Sequence, residues 1–373
     1  MHPDELQVVS GSVVALRLFD VAYTIDLGQA EILWAQRAGT ASARGKLSSA
    51  PTKALAFDVP PVIIPLTGIV LELDGKPHAV SVTARLYDFG VIAFALKVAV
   101  TKLSWPDYGR LLNALDRTVG PAAQTPIWSD FLAHVRTILL PAFTRPLELN
   151  LQEDYLLGTV QEWNVPLTSA ELQERIDLAP LLSGEYRSLS DDARRDLMRQ
   201  RFSYYADDLV VLTWDRAFIY EPRGDSDVAD VLEVANAQLL ELRYYDELLD
   251  DELPRMYDLV EETRRAQYLL APRRFAILAR KLYTLVAEVT ELTEKVDNAL
   301  QVTEDVYLAR IYSAALGLFR VPTVSAAVDR KLSIIRDTYS ALYDEASSNR
   351  AELLEIAIVV LIVVEIVLAV LRH

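Results

Sequence analysis

LLEIAIVVLIVVEIVLAVL, Leu353 to Leu371, is the stretch that sets the architecture, and the sequence ends two residues later at His373. A bilayer core takes about 20 mostly apolar residues as a helix, and this run just reaches that length. It carries two carboxylates, Glu355 at its entrance and Glu365 inside. The run is expected to be a single-pass, C-terminal transmembrane helix with the lipid bilayer as its partner. An acid at the centre of a span costs about 2.5–3.5 kcal/mol on insertion scales. Self-association through Glu365 relieves that cost, so a homo-oligomer is expected. The small residues Ala357 and Ala369 are too scattered for close GxxxG packing.

Reading back from the span, Val328, Leu332, Ile335, Tyr339, Leu342 and Ala346 keep a 3,4 spacing after Pro322. An earlier seam, Phe275, Leu278, Leu282, Leu285, Val289, Leu292, Val296 and Ala299, keeps the same beat. Two such seams joined by a turn predict an antiparallel coiled-coil hairpin. No breaker separates Ala346 from the span. One helix is therefore expected from about Thr323 through the bilayer, on the order of 75 Å long at 1.5 Å per residue, a strut holding the head off the lipid.

The N-terminal part alternates. Ser12 to Ile25 is strand-like and Leu27 to Arg37 helical, with an exposed loop over Gly39 to Lys53. Pro65 to Leu73 and His78 to Tyr87 flank Asp74-Gly75-Lys76-Pro77, a hairpin signal. A further run covers Phe89 to Val100. Ser104 caps a helix through Leu115, Ser129 opens another through Leu140, and Glu153 to Trp163 returns to strand. Helices follow at Ser169 to Leu178 and Ser190 to Gln200. A hairpin of Asp208 to Thr213 and Arg216 to Glu221 turns at Trp214-Asp215, and from Asp227 onward the chain is helical. The fold class is α+β, a mixed N-terminal head followed by the helical hairpin and the span. Its divisions are a head at 1–225, a helical segment packing on it at 226–270, the hairpin at 271–352 and the span at 353–371.

The formal charge is −16, which disfavours phosphate backbones, so direct nucleic-acid binding is not expected unless one basic patch escapes the average. Cysteine is absent, which removes disulfides, thiolate nucleophiles and cysteine metal sites. MHPDELQVVSGS at the start lacks the features of a secretory or organelle leader. The head is therefore expected in the cytoplasm.

DDLVVLTWDRAFIY (Asp207 to Tyr220), VLEVANAQLLELRYYDELLD (Val231 to Asp250) and LIVVEIVLAVL (Leu361 to Leu371) together resemble the Rmd/YagE family, the required-for-meiotic-nuclear-division proteins, catalogued chiefly as a domain of unknown function. RLYDFGVIAF (Arg85 to Phe94) is similar to a family strand more loosely. The resemblance runs from about Tyr87 onward and implies an oligomer anchored by a C-terminal span, with no agreed catalytic residues. Eukaryotic relatives are associated with the inner mitochondrial membrane and mitochondrial translation. Without a transit peptide, the chain fits a bacterial member at the inner membrane.

No phosphate loop, GxGxxG, GxSxG or HExxH motif is present, and His2, His78, His134 and His373 are scattered. The expected function is a tail-anchored oligomeric scaffold or tether for an unknown protein partner, with no cofactor, no metal and no assigned chemistry. The candidate interaction residues are Glu233, Asn236, Gln238, Glu241, Arg243, Tyr244 and Asp246. Of these, Glu233, Asn236 and Arg243 share one helix face with Leu240 and Glu247. The alternative is a membrane-associated metal-dependent hydrolase using the acidic helix 233–252, with Glu233, Asp246 and Asp250 as ligands.

Overall fold

The computed structural model describes residues 6–38, 43–44, 55–57, 59–148, 151–185, 187–224, 227–265, 271–298, 300–302 and 306–371. Side chains at 38, 55–57, 259, 262–265, 271–276, 292, 295–298, 300–302, 345–354, 356–357, 363 and 366–371 lie outside that description.

In chain order the elements are β1 (Gln7–Asp20), β2 (Ala22–Ile25), α1 (Leu27–Ala38), β3 (Ala43–Arg44), β4 (Leu55–Phe57), β5 (Val62–Leu73), β6 (Lys76–Leu86) and β7 (Val91–Ser104). Then come α2 (Trp105–Val119), α3 (Ile127–Leu139), β8 (Phe143–Pro146), β9 (Gln152–Trp163), α4 (Ser169–Arg175), α5 (Ala179–Ser183) and α6 (Asp191–Leu197). They are followed by β10 (Gln200–Phe202), β11 (Leu209–Leu212), β12 (Arg216–Tyr220), α7 (Val228–Arg265), α8 (Ala271–Asn298), β13 (Leu300–Val302), α9 (Val306–Leu318) and α10 (Val321–Leu371). The protein is thus mixed α and β, with a sheet-rich N-terminal region and C-terminal helices. It divides into two compact units, Met1–Glu241 with Lys295–Pro322, and Leu242–Glu294 with Thr323–His373.

The first unit is built on a nine-stranded sheet in the order β10-β11-β12-β9-β1-β7-β6-β5-β3. Its neighbours are antiparallel except β12 and β9, which run parallel. That pairing needs a crossover, and the helices α4 to α6 lie in the connecting chain. The β5–β6 hairpin turns on Asp74 and Gly75, with φ of 47° and 72°. Positive φ at both central residues matches the twist of the two strands, as the Asp-Gly signal predicts. At the β6–β7 turn, Gly90 has φ 102°, and an added Cβ would lie 1.8 Å from the carbonyl oxygen of Ala22.

β7 shows how the sheet divides its faces. Ile92, Phe94, Leu96, Val98 and Val100 belong to the main core with Trp105, Leu112, Leu115 and Trp128 of α2 and α3. The alternate positions Ala93, Ala95, Lys97 and Ala99 fall on the opposite face. Ser104 caps α2, accepting from the Asp107 amide at 3.3 Å, and Pro106 sits in the first turn.

Several boundaries differ from the expectation for local reasons. α3 opens at Ile127 after Pro126, and Ser129 lies inside it, donating to the Pro126 carbonyl. The helix expected over Ser169 to Leu178 stops at Arg175, and Ala179–Ser183 forms a separate helix with Pro180 in its first turn. Ser190 caps α6, which ends at Leu197, and Gln200 joins the sheet. Within the expected loop Gly39 to Lys53, Ala43 and Arg44 pair with β5, and the remainder lies outside the described residues. The short β13 interrupts the helical C-terminal part.

The second unit holds the helical seams. Leu278, Leu282 and Val289 of α8 are buried, as are Val328, Leu332, Ile335 and Leu342 of α10. Phe275, Leu292, Val296, Ala299 and Ala346 lie outside the described side chains. The ring of Tyr283 stands 5.9 Å from that of Tyr339, which stands 6.2 Å from Tyr343. α10 is a continuous helix of 51 residues, about 76 Å at 1.5 Å per residue. Among the described residues no single helix is long and apolar enough to cross a membrane; Val306–Leu318 and Val321–Asp344, bent by 62°, meet that test only as a pair.

Candidate functional site

A cluster of buried charge lies where the first turns of α7 meet β6. Strand alternation puts Arg85 and the next-but-one residue, Tyr87, on one side, and helical spacing puts Asp230 and Glu233 on one side of α7. Nη2 of Arg85 lies 2.8 Å from Asp230 Oδ1, and Nε lies 3.5 Å from Glu233 Oε1. The Tyr87 hydroxyl donates to the same Glu233 oxygen at 2.8 Å, and its ring stacks on Phe89 at 5.1 Å.

Burial pushes the Glu233 carboxyl above its ordinary range, and Arg85 and the Tyr87 hydrogen bond pull against that shift. Burial also opposes the charge on Arg85, but Glu233 and then Asp230 outweigh it, so the guanidinium stays charged. One donor is left over: Nη1 of Arg85 is buried and makes no hydrogen bond among the described residues.

A cavity of about 340 Å³ adjoins this cluster on the same sheet face. Arg85, Asp230 and Glu233 border it, with Ala93, Ala95 and Lys97 of β7 and Ser12, Thr159 and Gln161 of β1 and β9. The Ser12 and Thr159 hydroxyls are 2.7 Å apart. This arrangement is suited to binding. The one carboxylate it buries deeply, Glu233, is held by two partners, Arg85 and Tyr87.

The structure distributes the sequence-selected residues of α7. Glu233, Asn236, Gln238 and Glu241 are buried. Asn236 donates to the Leu232 carbonyl, and Gln238 accepts from Tyr312 at 2.8 Å. Arg243, Tyr244 and Asp246 fall in the second unit, all half-buried, and the Tyr244 ring lies 5.3 Å from that of Tyr245. Glu365 is exposed on α10. The metal-ligand grouping of Glu233, Asp246 and Asp250 is not assembled. Glu233 and Asp246 are 13 positions apart on one helix, about 20 Å of rise. Lys331 occupies the acidic end, with Nζ at 2.6 Å from Asp246 and 2.7 Å from Asp250. Among the described residues no three His, Cys, Asp or Glu side chains group to hold a metal.

Among the buried polar residues that the sequence did not single out are Arg216, Arg17 and Asp20. Arg216 donates to Asn113 Oδ1 at 2.6 Å and to the Leu181 carbonyl at 3.0 Å, and it pairs with Asp116. Arg17 reaches the Val119 carbonyl and stands over the Trp128 ring at 5.5 Å. Asp20 is 1% exposed, and neither carboxyl oxygen has a hydrogen-bond partner among the described residues. Arg17 and Asp20 sit in a strand-like run, where a charge at a core position was the available signal.

No solved structure matches the chain. The uncharacterized protein MJ0711 of Methanocaldococcus jannaschii is 26% identical over 218 residues, which are 58% of this chain and 66% of that protein. The match therefore spans just under two thirds of the relative's length. A family model, described as the N-terminal domain of uncharacterized protein MJ0711, matches residues 10–227. That segment contains β12 and every earlier strand of the sheet except the first residues of β1, and it ends one residue before α7, so Arg85 and Tyr87 lie inside it and Asp230 and Glu233 outside. Over this sheet-bearing segment the chain belongs to the MJ0711 N-terminal domain family.

Proposed function

We propose that the protein is a membrane-anchored, self-associating scaffold whose head binds a partner and whose output is binding rather than chemistry. One observation carries the reading. Ile358, Val359, Val360, Leu361, Ile362 and Val364 of α10 are all exposed. Successive helical residues step about 100° around the axis, so these six cover its whole circumference. A surface apolar on every side, left in water, forfeits about 25 cal/mol for each Å² that hydrocarbon would cover. Insertion of 353–371 into a bilayer recovers it.

The paired seams of α8 and α10 support an antiparallel hairpin below the span. Glu365 within the span favours association of several copies, which shields its carboxyl from lipid. The Rmd/YagE resemblance points the same way, towards membrane-bound oligomers.

Sedimentation of the detergent-purified full chain tests the assembly. A defined oligomer that dissociates when 353–371 is replaced by an unrelated span supports the scaffold; a monomer at all concentrations contradicts it.

A further inference from the structure

We infer that the groove between the edge strand β10 and helix α9 receives an extended acidic peptide segment of a protein partner, which adds to the sheet as a further strand. The inference rests on the reading of the head as a binding module and names the chemistry of its partner; the membrane anchor is not involved.

β10 ends the nine-stranded sheet: it bonds to β11 on one side and, among the described residues, to no strand on the other. An antiparallel strand spends only half of its main-chain groups on one neighbour, so the outer row of β10 is a template for another chain. Strand alternation turns Arg201 to one face of the sheet, where it donates to Gln173 at 2.8 Å. Gln200 and Phe202 turn to the other face, towards α9. A hollow of about 420 Å³ lies between them and the helix, because α9 presents the small side chains Ala309, Ser313 and Ala314 there. In strand addition, main-chain bonds to an open edge give affinity and pockets for alternate side chains give specificity. The edge and the hollow supply one each.

Charge identifies the occupant. The protein carries 53 acidic residues against 37 basic ones, yet neither Leu197 to Ala206 nor Val306 to Val328 contains an acid. Arg310, exposed at the mouth of the hollow, stands over the Phe202 ring at 5.7 Å, and Arg223 over the Tyr205 ring at 4.3 Å. Neither guanidinium makes an ion pair among the described residues. Two arginines resting on aromatic rings keep their donors for carboxylates that a partner brings. The surround has the make-up of an interface: Tyr204, Tyr205 and Val306 are 65%, 46% and 73% exposed, and the Tyr204 ring lies 5.5 Å from that of Tyr307. Tyrosine and arginine are the side chains enriched at such contacts. The aromatic pair is held in place from below, where the buried Asp208 accepts from the Tyr204 and Tyr205 amides at 2.7 and 3.1 Å.

Fluorescence polarisation on the full chain in detergent tests this, with a pool of labelled hexapeptides that alternate Glu or Asp with apolar residues. Saturable binding by members of the pool is expected, weakening as salt rises. Arg310→Glu should weaken it about tenfold or more, by replacing a charge-assisted bond with a like-charge contact. Ser313→Trp should abolish it by filling the hollow. N-methylation of the peptide's alternate amides, tried in both registers, should abolish it in one of them by removing the main-chain donors. Both protein positions are exposed on α9, and unchanged thermal melts would show that the variants fold. No binding by any member of the pool, wild-type affinity in either folded variant, or undiminished binding in both N-methylated registers overturns the inference. So does an oligouridylate that binds more tightly than every peptide and is lost in Arg310→Glu, which would make the groove a nucleic-acid site. Each of these outcomes leaves the anchor and the oligomer standing, since sedimentation and membrane extraction test those separately.

Discussion

The Tyr87 hydroxyl and the Glu233 carboxylate, 146 residues apart in the chain, share a buried hydrogen bond of 2.8 Å. It ties the end of β6 to the second turn of α7, and Arg85 completes the neutralisation of the same carboxylate. Removing the hydroxyl leaves the buried Glu233 carboxylate short of a partner. Tyr87→Phe should therefore destabilise the protein by about 1–3 kcal/mol. Thermal unfolding checks this. The same change introduced into Glu233→Gln should cost measurably less, because the charged acceptor is already gone.

Asp20 makes stability depend on pH in a stated direction. Burial raises its carboxyl from 3.8 to about 8, so the folded protein keeps a proton that the unfolded chain releases. The contribution is fully present below pH 4 and is lost as pH rises through the folded value, at about 1.4 kcal/mol per unit from this group. Asp20→Asn should raise the melting temperature at pH 8 and leave it little changed near pH 4. Equal effects at both pH values would remove Asp20 as the cause.

Lys331 already supplies a cation to Asp246 and Asp250. Calorimetric titration with Mn²⁺ should accordingly find no stoichiometric site that Asp250→Ala removes. Finding one would restore the metal-dependent reading of the acidic helix.

Sequence pattern disclosed what is local in this fold. The Asp74-Gly75 turn, the Ser104 and Ser190 caps and the 3,4 seams through Leu282 and Leu332 each depend on residues within a few positions of one another. The parallel pairing of β12 with β9 did not show, because it joins Phe218 to Gly158 through register that no short window contains. The site divides the same way. Glu233 stood out by its helical face, but its partner Arg85 lies in β6 and Tyr87 just after it, the latter 146 residues away in the chain. The cavity floor was written in the alternation of β7, where Ala93 and Ala95 face Phe94 and Leu96 across the strand, and its meaning needed the covering helix.

Glu365 should govern association rather than insertion. Glu365→Leu removes the acid deepest in the proposed span, so the protein should stay in the membrane while its oligomer weakens, as read by cross-linking in native membranes. An unaltered oligomer would place the contact elsewhere on the chain.

The most direct test of the account is alkaline carbonate extraction of membranes carrying the full chain, set beside a version lacking 353–371. The full chain is predicted to remain in the membrane pellet and the shortened one to be released. Release of the full chain into the supernatant would contradict the anchor and the scaffold built on it.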